Sequence, residues 1–370
     1  MITDGPAQAF VDATERVLEE RLALVARDLS PRGFTAMIGV EGLKHTHEGG
    51  SRPVTRLMWT AYVAHGGASS PMALDEHSVK LIAASQEMFV DAVLIHDDLA
   101  ARADIRRGHP SLHRYFQDLH DASGWTGDSG RLGAALAQIV GDALLVVSGD
   151  VFAEAVRGVP DEQAARLSAM RQSAQLERVL GQAMDAIYPC LPGAEEPEEV
   201  IQQAVAAMLV KTSRYLGALP LALGAACAGA SDEECAVMEA AGVPLGSAYQ
   251  LRDDIRGALA SSEETGKPTG QDLIDGKRTV LAGFTMRLLE PAKRRLFVNA
   301  LLRGATPPVE ARVDHLQKVI RRSGALQAVE EIVAERRHAA VEYLKRSTIS
   351  PAARASLVEA FDWLLTAARM

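Results

Sequence analysis

Two aspartate pairs lying about 155 residues apart are the part of this chain best equipped for chemistry. They are Asp97-Asp98, in VDAVLIHDDLAARADIRRGHP, and Asp253-Asp254, in GSAYQLRDDIRGALASSEETGKPTGQDLIDGKR. Each pair sits on an apolar stretch with helical spacing, where carboxylates are costly to bury unless something positive offsets them. Facing each other across a helical cavity, they would form an oxygen-only site for a hard divalent cation, most naturally Mg²⁺. Arg106, Arg107, Lys211, Lys267 and Lys277 then suit the phosphate oxygens that such a cation shares. These residue types together describe a magnesium–diphosphate site.

The elements that must position these groups read as helices throughout. Apolar residues recur at helical period from Pro6 onward, with no credible run of alternating strands. The spacing predicts helices over Ser78–Ala103, Arg131–Arg157 and Gln163–Tyr188, and no stretch has the composition of an interdomain linker. The expectation is one all-α domain over residues 1–370, its helices arranged around a central cavity, with residues 1–8 a flexible terminus. A hydrophobic content of 48% with only 5% aromatic residues favours a large helical core. The formal charge of −9 argues against nucleic acid, which needs a concentrated basic face. Cys190, Cys227 and Cys235 form no CxxC pair and fit a reduced compartment. MITDGPAQAF lacks the pattern of a signal peptide, and the longest apolar run, Leu216 to Ala230, is too short to span a bilayer and contains Pro220. A cytoplasmic protein with no stable membrane insertion is expected.

Five blocks in order give the chain a wider resemblance: Gly49-Gly50 through Thr55, HDD with RRGHP downstream, Lys211-Thr212 in KTSRYLGALPLALGAA, QLRDD, and TGKPTGQDL with GKRTVL. On these the chain resembles the trans-prenyl diphosphate synthase family, and its last two blocks look most like actinobacterial-type geranylgeranyl diphosphate synthases. The resemblance implies an isoprenoid-synthase-type helical bundle, three Mg²⁺ ions, an allylic diphosphate substrate and a homodimer. It implies Asp97 and Asp253 as principal metal ligands with Asp98 and Asp254 in support, and Lys211 beside them in catalysis. It implies Arg106, Lys211, Thr212, Gln250 and Lys267 as the clasp on the allylic diphosphate, with Asp272 and Lys277 in a closing loop. Ala92 and Val93, small and just before Asp97, imply a deep pocket for fifteen- or twenty-carbon chains. Phe89 reads as the floor of that pocket or as core, with core preferred.

The other half of the pattern departs from the family. Where the family has GGKRLRP, this chain has Gly49-Gly50-Ser51-Arg52-Pro53-Val54-Thr55, so Ser51 and Val54 stand where the resemblance implies phosphate-binding cations. Val90 stands where it implies a His or Gln, leaving Arg107 of four polar contacts to isopentenyl diphosphate. Charge-assisted hydrogen bonds contribute about 1.5–3 kcal/mol each, so losing three weakens that substrate by roughly 4 kcal/mol or more. Ala101 also removes the third carboxylate of the first motif, and Gly257 ends the second. Asp104 shares Asp97's helical face but lies about 10 Å along the axis. His96, beside Asp97, reads as a structural hydrogen-bond partner. The expectation is an enzyme that ionises an allylic diphosphate without elongating it, in the manner of a terpene synthase. The alternatives are a short-chain prenyl diphosphate synthase that condenses isopentenyl diphosphate, and a non-catalytic subunit paired with an active synthase.

Overall fold

The computed structural model describes residues 5–29, 31, 33, 41–43, 45, 50–191, 196–261, 269–302 and 308–367. Of the terminal stretch expected to be flexible, residues 1–4 lie outside these, and Pro6–Gln8 open the first helix. The described residues are almost wholly helical, as the periodicity predicts, and fall into two compact units: residues 1–168 with 224–230, and residues 169–223 with 231–370.

In the first unit, α1 (Pro6–Leu29) and α2 (Pro53–Ala64) pack on α3 (Glu76–Ala101). A short hairpin, β1 (Ile105–Arg106) and β2 (His109–Pro110), leads to α4 (Leu112–Ala122) and α5 (Ser129–Ala155). The helix starts have a local cause. The Asp75 side chain accepts a hydrogen bond from Ser78 N at 2.9 Å, and that of Asp128 from Arg131 N at 2.9 Å; both satisfy orphan donors of a first turn. These caps start α3 and α5 two residues earlier than their apolar periodicity does. The end of α3 is less legible. Arg102 adopts a left-handed φ of 49°, and Ala103 N donates to Asp98 O at 2.9 Å, a Schellman-type stop usually made by glycine. Asp97 and Asp98 therefore occupy the last turn of α3. Asp104 is off the helix and pairs with Arg114 at 3.3 Å, so it does not share a face with Asp97.

Between the strands, Arg107 (φ 52°) and Gly108 (φ 81°) form a two-residue loop with both φ angles positive, as a type I′ hairpin requires. Glycine takes this conformation freely and arginine does not. By length and composition α5 is apolar enough to cross a membrane, the one such helix among the described residues. Its Val140, Leu144, Val151 and Phe152 are buried in a helix that packs on α3 and α4.

The chain continues through α6 (Asp161–Ile187), α7 (Pro197–Met208), a π-helical segment (Leu209–Ala218) and α8 (Leu219–Cys227). In the second unit the centre is α9 (Asp232–Leu259), which packs on the π-helical segment and on α14 (Ala325–Leu344). In sequence between α9 and α14 come α10 (Gln271–Ile274), α11 (Val280–Leu288), α12 (Pro291–Leu301) and α13 (Val309–Ser323), and α15 (Pro351–Ala367) follows. The Ser231 hydroxyl accepts from Glu234 N at 3.3 Å and starts α9. Within the π-helical segment, Ser213 Oγ donates to the carbonyl of Met208 at 3.1 Å.

Candidate active site

The two aspartate pairs fall one in each unit, and each unit carries its own half of the motif set. In the first unit, Asp98 is only 4% exposed. Arg106 Nε lies 3.0 Å from both of its oxygens, and Arg106 Nη2 also contacts Oδ1. The hairpin thus carries one arginine back onto the end of α3. Asp97, one residue earlier, is half-buried. His96 Nε2 lies 3.4 Å from Asp142 on α5 but makes no hydrogen bond among the described residues, so the structure does not show the hydrogen-bonding role expected of it.

Ala92 and Val93 are buried within the first unit, as is Phe89 at 4% exposure. Val54 is buried, and Ser51 is exposed. Arg52, the neighbouring cation, does not reach outward to replace them. It is 2% exposed, and its guanidinium lies 3.3 Å from Glu15, 3.5 Å from Glu87 and 3.4 Å from Asp91. Arg107, the remaining cation of the expected isopentenyl pocket, lies 3.3 Å from the same Asp91.

The second half is a linked set of polar side chains. Thr212 Oγ1 donates to Gln250 Oε1 at 2.7 Å, and Gln250 Nε2 donates to Asp254 Oδ1 at 2.8 Å. Gln250 and Asp254 are four apart on α9, one helical turn, which is why one amide reaches the other's carboxylate. Lys277 Nζ donates to Asp272 Oδ1 at 2.7 Å, and Lys211 Nζ to Asp185 Oδ2 at 2.6 Å. Asp253 is exposed. Lys267 and Gly49 lie outside the described residues. Asp185, on α6, is the acceptor for Lys211 and is not singled out by sequence reasoning. Its only signal was a carboxylate on a predicted helix, too common to single out.

Electrostatics tie the second half together. Burial first, then the charges of Asp272 and Asp253, push the Asp254 carboxyl well above the usual carboxylate range, against the Gln250 hydrogen bond and Lys277. Lys277 shows the reverse balance: burial opposes its charge, but Asp272, followed by Asp185 and Asp275, holds it above the usual lysine value. Carboxylates crowded in this way fit a hard cation, which would relieve their mutual repulsion with oxygen ligands alone. Among the described residues, no three His, Cys, Asp or Glu side chains already converge as a metal cluster.

An all-α fold with one acidic motif in each half and a lysine–glutamine–threonine set beside the second defines a class. Residues 44–320 match the polyprenyl synthetase family, and the chain belongs to it. It is 28% identical over 218 residues to the geranylgeranyl diphosphate synthase of Sulfolobus acidocaldarius, covering 59% of each chain. It is 33% identical over 211 residues to that of Rhodobacter capsulatus, covering 56% of this chain and 61% of the other. The matched stretch thus spans less than two thirds of the length of these relatives. A solved geranylgeranyl pyrophosphate synthase from Corynebacterium glutamicum, complexed with isoprenyl diphosphate and magnesium, superposes with a TM-score of 0.86. It is 28% identical, with 98% of this chain and 99% of that one covered. The isoprenoid-synthase-type fold expected from the five blocks is therefore the fold of the chain.

Proposed function

We propose that this chain is a Mg²⁺-dependent enzyme that binds an allylic prenyl diphosphate of fifteen or twenty carbons and breaks its carbon–oxygen bond. The allylic cation is then passed to isopentenyl diphosphate, the condensation for which the relatives are named. The observation that carries the reading is the run Thr212–Gln250–Asp254 beside Lys277–Asp272. A scaffold has no use for such a set, and a diphosphate clamp needs each member.

The chemistry follows from these side chains. The Thr212 hydroxyl holds the Gln250 amide so that its NH₂ group faces Asp254 and fixes that carboxylate. Lys277, kept cationic by Asp272, supplies a fixed positive charge where negative charge grows on the departing diphosphate. Lys211 supplies a second, oriented by Asp185. Mg²⁺ bound by Asp97 in one half and by Asp253 and Asp254 in the other would neutralise the diphosphate and make it a better leaving group. Exclusion of water would let the allylic cation outlive attack by solvent.

A second reading, ionisation without elongation as in a terpene synthase, is favoured by Ser51, Val54 and Val90, none of which can bind a phosphate as Lys, Arg or His does. The deciding experiment is a product assay with Mg²⁺ and ten-, fifteen- and twenty-carbon allylic diphosphates, with and without isopentenyl diphosphate. A longer diphosphate made only with isopentenyl diphosphate supports condensation. A hydrocarbon or alcohol made without it supports the second reading. No pyrophosphate release from any substrate would sink both. Asp97→Ala and Asp253→Ala should each abolish release, because each strips a metal ligand.

A further inference from the structure

The two acids of α3 that face the hairpin, Asp91 and Asp98, lie seven residues apart, about 10 Å along the helix. Consecutive hairpin arginines meet them: Arg106 reaches Asp98 and Arg107 reaches Asp91. Between them is a cleft of about 40 Å³, lined among others by His45 and His109. At roughly 10–15 Å³ per water, it has room for about three waters and not for a diphosphate.

Asp91 is the unusual member. It is 4% exposed and takes Arg107 at 3.3 Å and Arg52 at 3.4 Å, while Arg52 also meets Glu87 and Glu15. Among the described residues the tally is two guanidinium groups, Arg52 and Arg107, against three carboxylates, Asp91, Glu87 and Glu15. A diphosphate reaching for Arg107 would have to break its pair with Asp91 and leave that carboxylate buried with one cation fewer, which is costly.

We propose that Asp91 is a built-in anion that holds Arg107 and Arg52 in the place of a second diphosphate, and so sets how weakly this chain binds isopentenyl diphosphate. The proposal rests on the reading of Arg107 as the remaining cation for that substrate. It accounts for the neutral Ser51, Val54 and Val90 and for the buried Asp91 by a single cause: an internal anion stands where an external one would bind.

The test is a double-mutant cycle read by isothermal titration of isopentenyl diphosphate, and of inorganic pyrophosphate, into the full chain with Mg²⁺. Asp91→Asn keeps shape and removes charge; it should tighten isopentenyl diphosphate at least ten-fold, and adding Arg107→Ala should abolish the gain. In the otherwise unchanged chain, Arg107→Ala should alter affinity less than three-fold, because that arginine is already engaged. Equal affinity in Asp91→Asn and the parent chain would overturn the proposal. If Asp91→Asn melts too low to titrate, the Arg107→Ala single variant still decides: a ten-fold loss there means Arg107 was available all along. Pyrophosphate release from the allylic substrate alone, measured in parallel, tests the enzymatic reading separately. Release with unchanged isopentenyl diphosphate affinity defeats only the role of Asp91. A pyrophosphate gain without an isopentenyl diphosphate gain would make the site a general anion site and overturn the assigned specificity.

Discussion

The Asp272 carboxylate lies against the Cα of Gly257: a Cβ on residue 257 would stand 2.6 Å from Asp272 Cγ, closer than real atoms approach. The glycine that ends the second aspartate motif is therefore what lets a carboxylate from α10 lie alongside the last turns of α9. That carboxylate in turn holds Lys277 and raises the proton affinity of Asp254.

Gly257→Ala tests this contact. Alanine in a helix is favoured over glycine by about 1 kcal/mol, but its Cβ must push the Asp272 carboxylate aside, so the metal-free melting temperature should not rise. Displacing Asp272 breaks its pair with Lys277, so turnover and the melting shift produced by Mg²⁺ should both fall, turnover at least ten-fold. Differential scanning fluorimetry with and without Mg²⁺, alongside a pyrophosphate-release assay, checks both. Full activity in the variant would show that the contact does not matter.

Asp254 predicts a pH dependence for the metal-free protein. Its folded-state pKa is raised, so between the ordinary carboxylate value and that raised value the folded chain holds a proton that the unfolded chain has lost. Unfolding free energy therefore falls as pH rises through that window. Melting temperatures in EDTA from pH 4 upward should decline, and Asp254→Asn should flatten the decline. An unchanged slope in the variant would assign the effect to other groups.

Tyr62 predicts a second window, at alkaline pH. It is 1% exposed and its hydroxyl donates to Leu74 O at 2.8 Å. Burial, then the nearby charges of Cys227, Glu76 and Asp75, push its pKa up to about 12. The folded state keeps the phenol proton after the unfolded chain begins to lose it near ~10, so stability drops as pH rises from about 10 to 12. Tyr62→Phe should cost about 1 kcal/mol at neutral pH by removing the hydrogen bond, yet lessen the alkaline loss. Urea melts at pH 7 and pH 11 would read both.

Much of this arrangement is legible in the sequence, because helical period and capping residues carry local information. Asp75, Asp128 and Ser231 mark helix starts by chemistry that acts over three residues. The Thr212, Gln250 and Asp254 positions are legible only through the resemblance of their blocks to the family. What was not readable depends on contacts distant in sequence or on residues in conformations they rarely adopt. Nothing about Arg102 announces a left-handed stop, and only its backbone φ separates α3 from the hairpin. Nothing in the run around Arg52 announces the three carboxylates, up to 39 residues away, that turn it inward. Asp185 gained its meaning only through Lys211, 26 residues on.

The π-helical segment Leu209–Ala218 also bears on how this chain tolerates insertions and deletions. A π turn accommodates surplus residues within an otherwise α-helical path, and each residue of an α-helix turns the chain by about 100°. Deleting one residue between Ser213 and Ala218 would let the helix relax toward α geometry and rotate Lys211 and Thr212 relative to the helix that follows. Asp185 and Gln250, on α6 and α9, would not move with them. The length of this segment is thus a phase setting, and a one-residue indel here should be far more damaging than one in an exposed loop such as the Gly124–Gly127 turn.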